Sequence, residues 1–86
     1  MVKYSLEIKQ SAQKELDALG DVLFSKIDKR ILALVSNPRP TGCKKLKGYK
    51  DQWRIRIGDY RVIYIIDDTT KIVTVTHVAH RREVYD

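Results

Sequence analysis

Three observations predict an α+β fold built on a single domain, residues 1–86. Residues 2–9 alternate apolar and polar side chains. Two apolar stripes at helical spacing follow between Ser11 and Val35, separated by a short break. From residue 52 onward the chain alternates again, interrupted only by turn residues. Strand, two-helix hairpin and then a twisted antiparallel sheet of three to four strands is the order this implies, with both helices packed on one sheet face.

In the first strand Tyr4, Leu6 and Ile8 share one face, and Lys3, Ser5, Glu7 and Lys9 the other. Ser11 is placed to cap the first helix, whose apolar positions are Ala12, Leu16 and Leu19, and Gly20 is placed to end it. Asp21 is placed to cap the second helix, with Leu23, Ile27, Ile31, Leu34 and Val35 as its stripe. Asn37-Pro38-Arg39-Pro40 stops that helix, because proline cannot continue the hydrogen-bond ladder. A basic, turn-rich stretch over 41–51 holds a short strand around Leu46. Strands over 52–57, 60–66 and 71–78 then follow, turned at Gly58-Asp59 and at Asp67-Asp68-Thr69-Thr70.

With 86 residues, 43% hydrophobic and 33% charged, the composition is that of a globular domain. No apolar run approaches the ~20 residues of a membrane span, and Met1-Val2-Lys3-Tyr4 lacks a secretory apolar stretch. Cys43 is the only cysteine, which excludes an intrachain disulfide and a multi-cysteine metal site. A cytoplasmic location is expected. The net charge of +6 points to a polyanionic partner, or serves solubility alone.

The hairpin register locates that charge. With Gly58 and Asp59 as the two turn residues, Ile57 faces Tyr60, Arg56 faces Arg61 and Ile55 faces Val62. Trp53, Ile55, Ile57, Tyr60, Val62 and Tyr64 then form one apolar layer. Arg54, Arg56 and Arg61 fall on the opposite face. Like charges opposite each other cost stability, and arginine forks donate paired hydrogen bonds to phosphate while staying charged at any working pH. The patch therefore reads as a phosphate site, against the alternative of a sheet face kept soluble by charge.

The terminal stretch His80-Arg81-Arg82-Glu83-Val84-Tyr85 sets cations beside an aromatic ring, the ingredients of single-stranded RNA binding. Tyr85 either stacks on a base or tucks against the core. Lys44, Lys45, Lys47 and Lys50 extend an RNA track into the arginine hairpin, or form a solvated loop. His77 and His80 lack the companions of a metal site, and His77 falls on core-side parity. No metal and no other cofactor is expected.

The blocks Leu46-Lys47-Gly48, Trp53-Arg54-Ile55-Arg56-Ile57, Gly58-Asp59-Tyr60-Arg61-Val62-Ile63-Tyr64 and Val78-Ala79-His80-Arg81-Arg82-Glu83-Val84-Tyr85 resemble the RelE/ParE toxin superfamily across essentially the whole chain. The resemblance to its RelE branch implies a ribosome-dependent endoribonuclease that cuts mRNA in the ribosomal A site. There the 2′-hydroxyl attacks the adjacent phosphate, and a cognate acidic RelB-like antitoxin holds the toxin in an inactive hetero-oligomer. By position it implies that Arg54 and Arg56 match the basic pair of the first catalytic strand. Arg61 matches the transition-state arginine, Arg81 the basic residue after the last strand, and Tyr85 the terminal tyrosine. Lysine is frequent in the family where this chain has Arg54 and Arg56, and arginine cannot release its proton at working pH. The base is then Tyr85, His80 or a water, or Arg56 acts only by stabilising charge on the attacking oxygen. His80 and Arg82, with the lysines, are expected to contact RNA. The alternatives are a ParE-type toxin that inhibits DNA gyrase without catalysis, and a plain RNA-binding module.

Overall fold

The computed structural model describes residues 3–46 and 52–80. Strand β1 (Ser5–Ile8) leads into helices α1 (Gln10–Asp17) and α2 (Asp21–Ala33). Strands β2 (Lys44–Lys45), β3 (Gln52–Ile57), β4 (Tyr60–Asp67) and β5 (Ile72–His80) follow. They form one five-stranded sheet in the order β1-β5-β4-β3-β2. The last four strands are an antiparallel meander that starts at the far edge and ends beside β1. The two helices carry the chain from β1 to the far edge at β2, and the meander returns so that β5 lies beside β1 and runs parallel to it.

The helices start differently from the sequence expectation. Lys9 is the N-cap of α1, so Ser11 lies inside the helix, and neither helix has a side-chain cap. Gly20 is the N-cap of α2, and Asp21 occupies its first turn. There its charge favours the positive helix end without capping it. The extended backbone of Lys9 and Gly20, not a hydroxyl or carboxylate cap, sets where each helix begins.

The apolar stripes and the alternating strands meet as expected. Ala12, Leu16, Ile27, Ile31 and Leu34 pack on Ile55, Ile57, Val62, Tyr64, Ile66, Val73, Val75 and Val78 in one buried cluster. The buried Tyr64 hydroxyl donates to Pro38 O at 2.7 Å, and burial raises the pKa of that phenol. Asp68 ties the same end together. It accepts from Tyr4 Oη at 2.6 Å and pairs with Arg39 Nη2 at 2.9 Å, while the Arg39 guanidinium lies 5.0 Å from the Trp53 ring centre.

One irregularity decides what the second half of β5 presents. Val75 and Val78 both belong to the helix-side cluster although they are three residues apart, which a regular strand forbids. Tyr64 pairs with Val75 but Ile63 pairs with His77, so Thr76 is an extra residue, a β-bulge. Its hydroxyl donates to Ile63 O at 3.2 Å. The bulge reverses side-chain parity beyond it. His77, expected on the core side, instead lies on the face away from the helices and is exposed.

Candidate nucleic-acid interface

The period of β3 sets Arg54 and Arg56 on the face opposite the helical layer, and Gly58 (φ +59°) with Asp59 makes the two-residue turn that returns the chain. A positive φ at the first central position is what such a hairpin turn needs, and glycine adopts it without steric cost. The register follows as expected: Ile57 opposite Tyr60, Arg56 opposite Arg61, Ile55 opposite Val62.

Two cross-strand rows run over this face. One carries Lys44 (β2), Arg54 (β3), Ile63 (β4) and His77 (β5). The next carries Arg56 (β3), Arg61 (β4) and Ala79 (β5). Four permanent cations therefore share the surface, and no position in either row is acidic.

Their exposure differs from a simple charged surface. Arg56 and Lys44 are exposed, but Arg54 and Arg61 are only 6% and 7% exposed, and their Nε atoms are enclosed. Ile63 and Ala79 are buried on this face, outside the helix-side cluster. Arg54 stands beside Ile63 and Arg61 beside Ala79, so the arginine stems have apolar neighbours to cover. Enclosed guanidinium groups interact more strongly with an anion than fully hydrated ones, because less water competes.

Two expected RNA contacts fall on the other side. His80 pairs with Tyr60 and meets its ring edge-on at 5.4 Å, on the helix side of the sheet. The parity reversal at Thr76 is the reason. Lys45 pairs with Trp53 and likewise shares the helix-side parity, unlike Lys44. Lys47, Lys50, Arg81, Arg82 and Tyr85 lie outside the described residues.

Conversely, His77 and Glu15 of α1 were missed. One carboxylate oxygen of Glu15 accepts from Val78 N at 3.2 Å and lies 3.7 Å from His77 Nδ1. The available signal was the three-residue step between Val75 and Val78, which breaks period two and marks a bulge.

A family model described as the ParE toxin of the type II toxin–antitoxin system parDE matches residues 6–85. The chain belongs to the RelE/ParE toxin family. Among characterised relatives, the mRNA interferase toxin RelE of Escherichia coli is 30% identical over 95% of this chain and 90% of that protein. Among solved structures, RelE in the archaeal RelE–RelB complex of Pyrococcus horikoshii superposes with a TM-score of 0.82 at 27% identity, covering 98% of this chain and all of that one. The Mycobacterium tuberculosis RelBE2 toxin–antitoxin complex gives 0.80 at 25% identity, over 93% of this chain and all of the matched one. The RelE/ParE fold is thus shared along the whole sheet, including the strands that carry the arginine rows. No described helix is long and apolar enough to cross a membrane.

Proposed function

We propose that this protein is a RelE-type endoribonuclease toxin that cleaves mRNA on the ribosome through its arginine face. The observation that carries the reading is the registered cluster of Lys44, Arg54, Arg56 and Arg61 on the sheet face away from the helices. Its chemistry fits the mRNA interferase activity named for the E. coli relative. Arg61 meets the charge that develops on the scissile phosphate. Arg54 and Arg56 hold the phosphate backbone, and exposed Lys44 extends the track. Arg81 acts as a further phosphate contact, Tyr85 splays the nucleotide by stacking on a base or moves a proton, and Arg82, Lys47 and Lys50 add backbone contacts.

The reaction is metal-independent in this reading: fixed guanidinium charge takes the stabilising role a cation would otherwise fill. Among the described residues no three His, Cys, Asp or Glu side chains group as metal ligands do. A cognate acidic antitoxin neutralises the toxin in a hetero-oligomer, as in the RelB-containing complexes of its structural relatives. The cytoplasm, where ribosomes work, is the site of action. Association with the antitoxin slows as salt rises, because screening weakens attraction to a chain of net charge +6.

The test is incubation with translating ribosomes, with mRNA ends mapped, in parallel with a gyrase supercoiling assay. Cut mRNA that persists in EDTA at levels that leave ribosomes intact supports the reading. Blocked supercoiling with intact mRNA supports a gyrase-directed toxin, which the ParE description of the matching family model favours.

A further inference from the structure

We infer that His77, oriented by Glu15, is the proton acceptor for the attacking 2′-hydroxyl. This rests on the cleavage reading above and supplies what it lacks. The arginines that line the face hold their protons at any working pH, so none can serve as base. An imidazole changes charge near neutrality and can.

The placement follows from the Thr76 bulge. Parity reversal sets His77 in the same row as Lys44 and Arg54, and Ala79 opposite Arg61. His77, two residues before Ala79, is then the diagonal neighbour of Arg61, at about 7–8 Å between Cα atoms for such pairs. Its side chain is 58% exposed, open to a substrate. His80, the other histidine of the chain, faces Tyr60 on the far side of the sheet.

Glu15 supplies the orientation. Its Oε1 is anchored by the Val78 amide on the stretch of β5 beyond the reach of β1, and faces His77 Nδ1 at 3.7 Å. A carboxylate there favours the tautomer with the proton on Nδ1, which leaves Nε2 as acceptor, and it stabilises the imidazolium that forms. The other charged groups nearest by register are Arg61 on β4, and Glu7 and Lys9 at the end of β1.

In the step itself Nε2 takes the proton of the 2′-hydroxyl, whose oxygen forms the new bond to phosphorus. The bond from phosphorus to the 5′-oxygen breaks with its electron pair, and that oxygen takes a proton from water. The imidazolium returns its proton to the hydroxide so formed. The products are a 2′,3′-cyclic phosphate and a 5′-hydroxyl.

The experiment is a single-turnover pH–rate profile of mRNA cleavage on programmed ribosomes for wild type, His77→Gln, His80→Gln and Glu15→Gln, with thermal melts of each. Wild-type rate rises with pH through the histidine range and levels off. His77→Gln melts as wild type, loses about 10²–10⁴ in plateau rate, the usual share of a positioned base, and loses the inflection. His80→Gln keeps the plateau rate and the inflection, and Glu15→Gln keeps the inflection but lowers the plateau rate, because the imidazole loses its orienting partner. Wild-type rate and inflection in His77→Gln overturn this inference alone. A wild-type protein that leaves mRNA intact overturns the cleavage reading and the inference together.

Discussion

Arg56 and Arg61 stand directly opposite each other across the β3–β4 hairpin, two residues from a tight turn that fixes their register. Like charges at such a position work against the hairpin, and the apolar layer on its other face holds it closed. Arg56→Glu converts the pair to one of opposite charge. It is expected to raise stability by about 0.2–1 kcal/mol, the range of a cross-strand pair, while lowering mRNA cleavage sharply. Urea melts beside a cleavage assay check both halves, and a less stable variant would show that the pair is not a source of strain.

The Thr76 bulge sets the parity of everything after it. Deleting Thr76 makes β5 regular while keeping Val75 opposite Tyr64 and His77 opposite Ile63, so His77, Val78 and Ala79 keep their faces. No core position changes side, so the deletion variant is expected to fold and to melt cooperatively. Thr76→Ala keeps the register and removes only the 3.2 Å bond to Ile63 O. It is expected to cost about 1 kcal/mol. Circular dichroism melts check both, and a deletion variant that fails to fold would contradict the assignment of Thr76 as the extra residue of the bulge.

Asp68 is held below the ordinary carboxylate range, first by its hydrogen bond from Arg39 and then by that from Tyr4. A carboxyl with a depressed folded pKa contributes stability above its unfolded pKa, and that contribution is lost as pH falls through the folded value. Stability is therefore expected to decline as pH drops below about 4, and Asp68→Asn is expected to flatten that decline. Melting temperature against pH for both proteins measures it. The exposure of the pair keeps the effect small and salt-sensitive.

The sequence made the hairpin legible because Gly58-Asp59 sits between two strictly alternating segments, so one turn assignment fixed every pair from Ile57–Tyr60 to Ile55–Val62. Both helix stripes were legible for the same reason: Leu16, Ile27 and Ile31 recur at helical spacing and find the core. The helix starts were not, because Ser11 and Asp21 are good caps whose positions lost to the extended backbone at Lys9 and Gly20. The parallel pairing of β1 with β5 depends on where the crossover delivers the chain, which no local pattern encodes. The bulge cost most. Reading β5 as regular exchanged the two histidines, placing His77 inside and His80 beside the arginines when the register does the reverse. Burial of Arg54 and Arg61 was also hidden, since charge alone suggests exposure.

In the proposed mechanism Arg61 stabilises charge on the scissile phosphate, and the single-turnover cleavage rate of ribosome-bound mRNA by Arg61→Met tests that role. Methionine keeps an unbranched apolar stem beside Ala79 and removes the guanidinium, so the melt is expected to stay close to wild type. The rate is expected to fall by about 10²–10³, the usual loss for one preorganised donor. A folded Arg61→Met protein that cuts at the wild-type rate would show that the Arg61 guanidinium has no part in the cleavage step.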